Sequence, residues 1–241
     1  MSRTAYFNGE FMQEENVRLH ISDLSIQRGY GVFDFFRTIN HQPFFMNDYL
    51  ERFFNSAKGL HLDPGISKEK LQSVIHELIN RNQLPQSGFR LTLTGGYSPD
   101  SYLPALPNFI ITHQPLSPRP AAMVEDGLKL ITHEYIRESP ELKSISYLTA
   151  VRIQPMIRAV GATDSLYHWK GVISELPRSN FFIVTRDETI VTASENILRG
   201  ITRKKTLELA GKHFKAEERT ITIDDVREAK EAFATSTTKQ I

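Results

Sequence analysis

Glu141-Leu-Lys-Ser-Ile-Ser-Tyr-Leu-Thr-Ala-Val151 carries a lysine where one pattern gives way to another. Ser139-Pro140 breaks whatever precedes it, and Tyr147, Leu148 and Val151 then recur at helical spacing. Lys143 is thus expected at a strand-to-helix junction, where a side chain can point into a cleft. A lysine so placed is either one more solvated cation or, with burial lowering its pKa, a Schiff-base nucleophile toward an aldehyde. One residue is not a motif, and the choice depends on what lies downstream.

Three pieces follow. Ser174-Glu-Leu-Pro-Arg-Ser-Asn-Phe-Phe-Ile-Val184 sets a carboxylate before a tight turn and an apolar strand. Ile197-Leu-Arg-Gly-Ile-Thr-Arg203 opens a helix; Gly200 permits close backbone approach, and the first N–H groups, of Ile201 and Thr202, suit an anion. Thr235-Ser-Thr-Thr238 places hydroxyls at the end of the strand Ala232-Phe-Ala. An amine nucleophile, a carboxylate and a phosphate cup are the set that pyridoxal phosphate needs.

In this order the fragments resemble the class IV pyridoxal-phosphate aminotransferases, a family of D-amino-acid aminotransferases, branched-chain aminotransferases and aminodeoxychorismate lyases. The resemblance runs from Phe7-Asn-Gly-Glu10 almost to the last residue, through Asp23, Gly31-Val-Phe-Asp34, Arg37, Leu50-Glu-Arg52, Lys143-Ser, Glu175 with Asn180, Gly200-Ile-Thr202 and Thr235-Ser-Thr-Thr. Each fragment alone is weak; the ordered series is strong.

Composition sets the bounds. The 241 residues allow one large domain or two small ones, and 40% apolar content supports an ordinary core. A formal charge of +1 argues for neither nucleic acid nor an acidic surface. The absence of cysteine removes disulfides, thiol nucleophiles and cysteine metal sites; no metal site is expected. No signal peptide or membrane-length apolar run stands out, so a cytoplasmic protein is expected.

Along the chain, Asn8-Gly9 signals a tight hairpin. Leu19 to Arg28 reads as irregular, Val32-Phe-Asp-Phe-Phe-Arg-Thr-Ile39 as a buried central strand, and Phe44-Phe-Met46 as its hairpin partner. A helix from Tyr49 to Lys58 has Asn47 or Asp48 as cap and buries Leu50, Phe53, Phe54 and Ala57; Arg52 lies off that stripe. A second helix starts at Ser67, with Leu71, Val74, Ile75, Leu78 and Ile79 on one face. Phe89–Thr94 and Asn108–Thr112 read as strands joined across Gly95-Gly96. Beyond the proline-rich Gln114–Pro120, short strands dominate; Pro155 must kink or split the helix after Lys143, and Leu207 and Leu209 face inward, wholly or partly, from a helix over Thr202–Ala210. The expected fold is α+β: a two-layer α/β domain over 1–113, a linker over 114–123, and a second domain over 124–241, barrel-like as in the family. The chain ends at Ile241 sooner than the family usually does, so its last strands are expected to be missing.

The resemblance implies roles, each with a plainer rival. Lys143 would hold the cofactor and move the substrate proton. Arg52 would grip the phosphate, or be a surface cation. Glu175 would bond the pyridine nitrogen, or be a turn carboxylate. Leu198 would pack on the ring, or be core. Gly200, Ile201, Thr202, Ser236 and Thr237 would form the phosphate cup, or be ordinary turn residues. A homodimer, with amino-acid and 2-oxo-acid substrates, is implied too.

The sub-family is open. The bacillus-type D-amino-acid enzymes hold the substrate carboxylate with a tyrosine and an Arg-x-His pair; here Ile26, Asp100 and Tyr102 stand in those places. The branched-chain enzymes carry glycine and asparagine after the lysine and glycine after the glutamate; here stand Ile145-Ser146 and Leu176. Arg178, three residues past Glu175, and Arg28, supplied by the neighbouring subunit, are the candidate replacement clamp, or both are solvated. D-amino acids are the favoured substrates, with a branched-chain L-amino-acid aminotransferase or an aminodeoxychorismate lyase as alternatives.

Overall fold

The computed structural model describes residues 3–116 and 126–238, so most of the expected linker lies outside the described residues. In chain order the elements are β1 (Thr4–Phe7), β2 (Glu10–Gln13), α1 (Leu24–Arg28), β3 (Gly31–Ile39), β4 (Gln42–Pro43), α2 (Met46–Gly59), α3 (Lys68–Asn82), β5 (Gln86–Thr94), β6 (Phe109–Pro115) and β7 (Leu130–Glu134). Then come α4 (Leu148–Arg152), α5 (Gln154–Ala159), β8 (Asp164–Trp169), β9 (Val172–Ile173), β10 (Glu175–Leu176), β11 (Ser179–Val184), β12 (Ile190–Thr192), α6 (Ile201–Ala210), β13 (Ala216–Glu218), β14 (Ile221–Thr222), α7 (Ile223–Glu228) and β15 (Glu231–Thr235). The chain falls into two compact units, the first holding the described residues up to 116 together with Leu142–Ser146, the second holding the rest. The sequence assigns Lys143 to the second domain; it groups with the first because its segment hydrogen-bonds to β3 and α2.

The first unit is one antiparallel sheet of order β2-β1-β6-β5-β3-β4 with two helices on one face. The pleat sends alternate side chains to opposite faces, so Phe36 opposite Phe89 and Val32 opposite Leu93 share the helix-covered face. Phe36 stacks on Phe89 there, and Phe53 of α2 stacks on Phe109. The five apolar residues predicted for α3 are all buried, and Ser67 caps it by accepting from the Lys70 N–H. Asn8 and Gly9 turn the β1–β2 hairpin with positive φ, as their types allow.

Several local expectations fail. The turn after β3 is Asn40-His41, so β4 is Gln42–Pro43 and Phe44–Met46 leads straight into α2. The α2 cap is Phe45, in a left-handed conformation, and not Asn47 or Asp48, because the tight turn brings the chain into the helix early. Phe54 is half-buried, not core. Asp23 turns the supposedly irregular stretch into a short helix: its buried carboxylate accepts from Ser25 N–H, Thr94 Oγ1 and Asn108 Nδ2. A loop over 95–108 separates β5 from β6, so Gly95-Gly96 is only its start.

The second unit has two sheets, β10-β11-β12-β13 with β15 paired to β11, and β14-β9-β8-β7. Leu166, Ile173 and Ile221 from one and Leu176, Phe181, Ile183 and Val191 from the other bury against each other in one core. Pro155 splits the predicted helix into α4 and α5. Leu148 and Val151, which recur at helical spacing, are 77% and 67% exposed, and Leu209, expected inward, is exposed as well.

His113 lies in the first core, stacked on Phe89, with Ser87 Oγ 2.5 Å from Nε2 and Asn82 Nδ2 3.3 Å from Nδ1. Burial pushes its pKa down to about 4. Native protein therefore binds fewer protons than unfolded chain below the ordinary histidine value, near 6.5. The stabilisation is whole above pH 6.5 and fades as pH falls toward 4, a loss of up to about 3 kcal/mol. Urea melts at pH 7 and pH 4.5 are expected to show a smaller acid loss for His113→Gln than for the parent; equal losses would contradict this.

Candidate active site

In the first unit, residues 143–145 pair with the free edge of β3. The Phe33 N–H donates to Lys143 C=O at 2.9 Å, the Ile145 N–H to Gly31 C=O at 3.0 Å, and Val32 stands opposite Ser144. Gly31 is required there: a Cβ would meet Leu93 C=O at 2.6 Å and the Ile145 side chain at 3.1 Å. The Lys143 N–H donates to Ser56 Oγ of α2. Opposite Phe33, Lys143 shares its face of the sheet, and its Nζ lies 4.6 Å from the Phe33 ring centroid.

Arg52 lies one turn before Ser56, on the α2 face that holds the lysine backbone. It is mostly buried and makes a two-point pair with Asp34, Nε to Oδ2 at 2.9 Å and Nη2 to Oδ1 at 2.6 Å. The plainer reading of Arg52 as a surface cation is therefore excluded. Asp34 is fully buried and holds the guanidinium plane in one orientation.

In the second unit Glu175 is buried. Its Oε1 accepts from Arg137 Nε at 2.8 Å; its Oε2 accepts from the Leu198 N–H at 3.0 Å and Asn180 Nδ2 at 3.3 Å. Arg137 also donates to Pro140 C=O. These bonds hold the carboxylate in one orientation. Asn180 donates to Leu198 C=O as well, so the β10–β11 hairpin and the loop before α6 are tied through one amide. Gly200 is packed against that amide: a Cβ would stand 2.1 Å from Asn180 Oδ1. Gly200 precedes α6 without a side-chain cap, and the first N–H groups of a helix have no partner inside it. Ile201 is buried, while Leu198 and Thr202 are half-buried.

Thr235 Oγ1 is buried and has no hydrogen-bond partner among the described residues, and Thr235 stands opposite Asn180 in the β11–β15 ladder. Ser236 and Thr237 follow it, half-buried. An orphaned hydroxyl, a side-chain-free helix start and a tethered buried carboxylate in one unit fit a phosphate-bearing heterocycle. Arg28, at the exposed end of α1, donates to Gln27 C=O; Arg178 is exposed in the β10–β11 turn. Lys143, Arg52 and Arg28 thus belong to the first unit, and Glu175, Arg178, Leu198, Gly200, Ile201, Thr202, Ser236 and Thr237 to the second. Sequence reading missed Arg137, which sits in no periodic pattern, and the roles of Asp34 and Asn180, whose partners are distant in the chain. No cluster of metal-ligating side chains occurs among the described residues.

The first unit thus offers a lysine on a sheet face and a fixed arginine, and the second a glutamate tethered beside a helix start. The chain belongs to the amino-transferase class IV family, whose model matches residues 31–241 and whose cofactor is pyridoxal 5'-phosphate. It is 29% identical over 241 residues to a D-alanine aminotransferase of Bacillus licheniformis, covering 98% of this chain and 85% of that one. It is also 29% identical over 245 residues to a putative branched-chain-amino-acid aminotransferase of Methanocaldococcus jannaschii, with the same coverage. In fold it matches the branched-chain aminotransferase of the archaeon Thermoproteus uzoniensis with a TM-score of 0.90 at 24% identity, covering all of this chain and 86% of that one.

Breaking a buried ion pair from one side typically costs 3–5 kcal/mol, because a charge is stranded. Arg137→Leu is therefore expected to lose about that much in denaturant unfolding. A parent-like unfolding midpoint would show that Glu175 does not depend on Arg137.

Proposed function

We propose that this protein is a pyridoxal-phosphate aminotransferase that moves an amino group between an amino acid, with D-amino acids favoured, and a 2-oxo acid such as 2-oxoglutarate. The observation that carries this is the Glu175 carboxylate, buried yet held by Arg137, the Leu198 N–H and Asn180. A protein with no use for an anion there would more cheaply bury an apolar group.

The cofactor, when bound, supplies an electron sink that makes the substrate α-proton removable. Lys143 would hold it covalently through Nζ and would carry the α-proton as general acid–base. Glu175 would serve the pyridine nitrogen and favour its protonated form. Leu198 would lie against the ring. Gly200, Ile201 and Thr202 offer backbone N–H groups to the phosphate, with hydroxyls from Thr202, Ser236 and Thr237 beside them, and Arg52, oriented by Asp34, adds a fixed cation. Arg178 and Arg28, the latter from a second copy of the chain, hold the substrate carboxylate. Exposed apolar side chains support the homodimer: Ile26, Leu103 and Leu106 in the first unit, Leu148 and Val151 in the second.

Borohydride treatment of cofactor-loaded protein is expected to abolish the visible absorption band and fix the label on Lys143; a label on another lysine would overturn the assignment. Arg52→Ala should weaken cofactor binding about tenfold to a hundredfold, and a parent-like titration would return Arg52 to a structural role. For the substrate clamp, half-reactions with D-alanine and L-leucine are decisive. Arg178→Ala and Arg28→Ala should lower kcat/KM for D-alanine by about tenfold or more with cofactor binding kept. A parent that reacts only with L-leucine would replace the D-amino-acid reading with the branched-chain one. Release of pyruvate from aminodeoxychorismate without a 2-oxo-acid acceptor would favour the lyase.

A further inference from the structure

The charges at the start of α6 run against the usual order. A helix N-terminus carries partial positive charge, so acidic residues are favoured there and basic ones are not. The first turn of α6 has no acidic residue, and Arg199, Arg203 and Lys204 crowd its start. Arg199 and Lys204 are exposed, where water and salt screen them, but Arg203 is only 3% exposed. A buried cation at that end destabilises the helix start unless an anion sits close to it. A second observation points the same way. Thr235 Oγ1, buried without a hydrogen-bond partner among the described residues, belongs to the residue opposite Asn180, whose amide packs on Gly200.

Arg203 is also held in place. Its Nη2 donates to Ala193 C=O at 2.8 Å and its Nη1 to Glu218 Oε1 at 3.1 Å. Ala193 follows β12 and Glu218 ends β13, and these strands pair in parallel. The bond to Ala193 closes residues 193–203 into a loop. That loop carries Leu198, whose N–H reaches Glu175, and then Gly200, Ile201 and Thr202. Glu218 balances the charge only in part: its side chain is 39% exposed, and it also lies 3.7 Å from Arg199. Arg203 Nε is buried with no hydrogen-bond partner among the described residues, so part of a permanently charged group is left unanswered.

We propose that Arg203 is a positioning residue for the anion site at the start of α6. It pins the loop and the first helical turn, so that the Ile201 and Thr202 N–H groups keep one orientation, and it sets a fixed, unscreened positive charge behind them. The inference rests on the pyridoxal-phosphate reading for the identity of the ligand, not for the existence of the site. Arg203 touches neither substrate nor reacting atoms; it acts through the helix start and favours a dianionic phosphate over a monoanion or a neutral group.

The test is calorimetric titration of cofactor-free protein with pyridoxal phosphate, pyridoxal and inorganic phosphate, joined to phosphorus NMR of the loaded protein across the second phosphate ionisation, near pH ~6. The parent should prefer pyridoxal phosphate to pyridoxal by about a hundredfold or more and keep the bound phosphate dianionic below its free ionisation range. Arg203→Gln should lose about tenfold of that preference, keep its pyridoxal affinity, and let the bound phosphate titrate nearer its free value. Arg203→Lys, which keeps the charge without the fork, should recover part of both. Glu218→Gln separates charge from scaffolding and decides the matter with Arg203→Lys should Arg203→Gln not fold. It leaves the bond to Ala193 and removes a competing anion, so phosphate affinity should hold or rise. A fall like that of Arg203→Gln would make the pair merely structural and overturn the proposal. An Arg203→Gln protein with the parent's preference and phosphate titration, or one that loses pyridoxal and pyridoxal phosphate alike, overturns it too. A parent that takes inorganic phosphate through Arg203 but not pyridoxal phosphate would overturn the aminotransferase reading and leave this one standing.

Discussion

The return of residues Leu142–Ser146 to the edge of β3 is the constraint on which the first unit's chemistry depends. Two backbone hydrogen bonds and the Ser56 hydroxyl hold the segment. Their geometry is directional: pairing Val32 with Ser144 puts Lys143 opposite Phe33, and the pleat then decides which face its side chain takes. A one-residue slip would send the amine to the helix-covered face, among Phe36 and Leu50. Gly31 makes the approach possible, since any side chain there would meet Leu93 and Ile145. Leu142 helps in the same way, filling the place of a side chain at Gly59.

Among the described residues, each unit contains a mostly buried arginine–carboxylate pair. In both Arg52–Asp34 and Arg137–Glu175 the carboxylate is the more deeply buried partner. Buried ion pairs seldom add much net stability, because desolvation offsets most of the attraction. What they provide is orientation: a fork held by two bonds cannot swing, and a carboxylate held by several donors keeps one direction. Gly200 and Asn180 extend the same logic to the start of α6, where the amide that tethers Glu175 also limits the size of the residue before the helix.

What the sequence made legible follows the range of the interactions. The α3 stripe from Leu71 to Ile79, the Asn8-Gly9 turn and the helix split at Pro155 are local, and period or residue type is enough to read them. Lys143, Glu175 and Gly200 were legible only as an ordered set, since a lysine or glycine alone has many uses. Long-range partners were not legible: Arg137 and Glu175 are 38 residues apart, and no pattern near Arg137 marks it. Leu148 and Val151 show the limit of such reading: their spacing gave the helix but not what covers its apolar face. Phe45 as a helix cap defied type preference, because the preceding turn set its backbone.

Amide hydrogen exchange resolved to single residues around Lys143 tests the central pairing most directly. With the segment docked on β3, the amides of Phe33, Lys143 and Ile145 should exchange within about tenfold of the β3–β5 ladder amides and far more slowly than those of the exposed loop near Tyr102. Exchange of Lys143 and Ile145 at the rate of that loop would mean that the lysine segment is not held by the sheet, and the placement of the amine would fall with it.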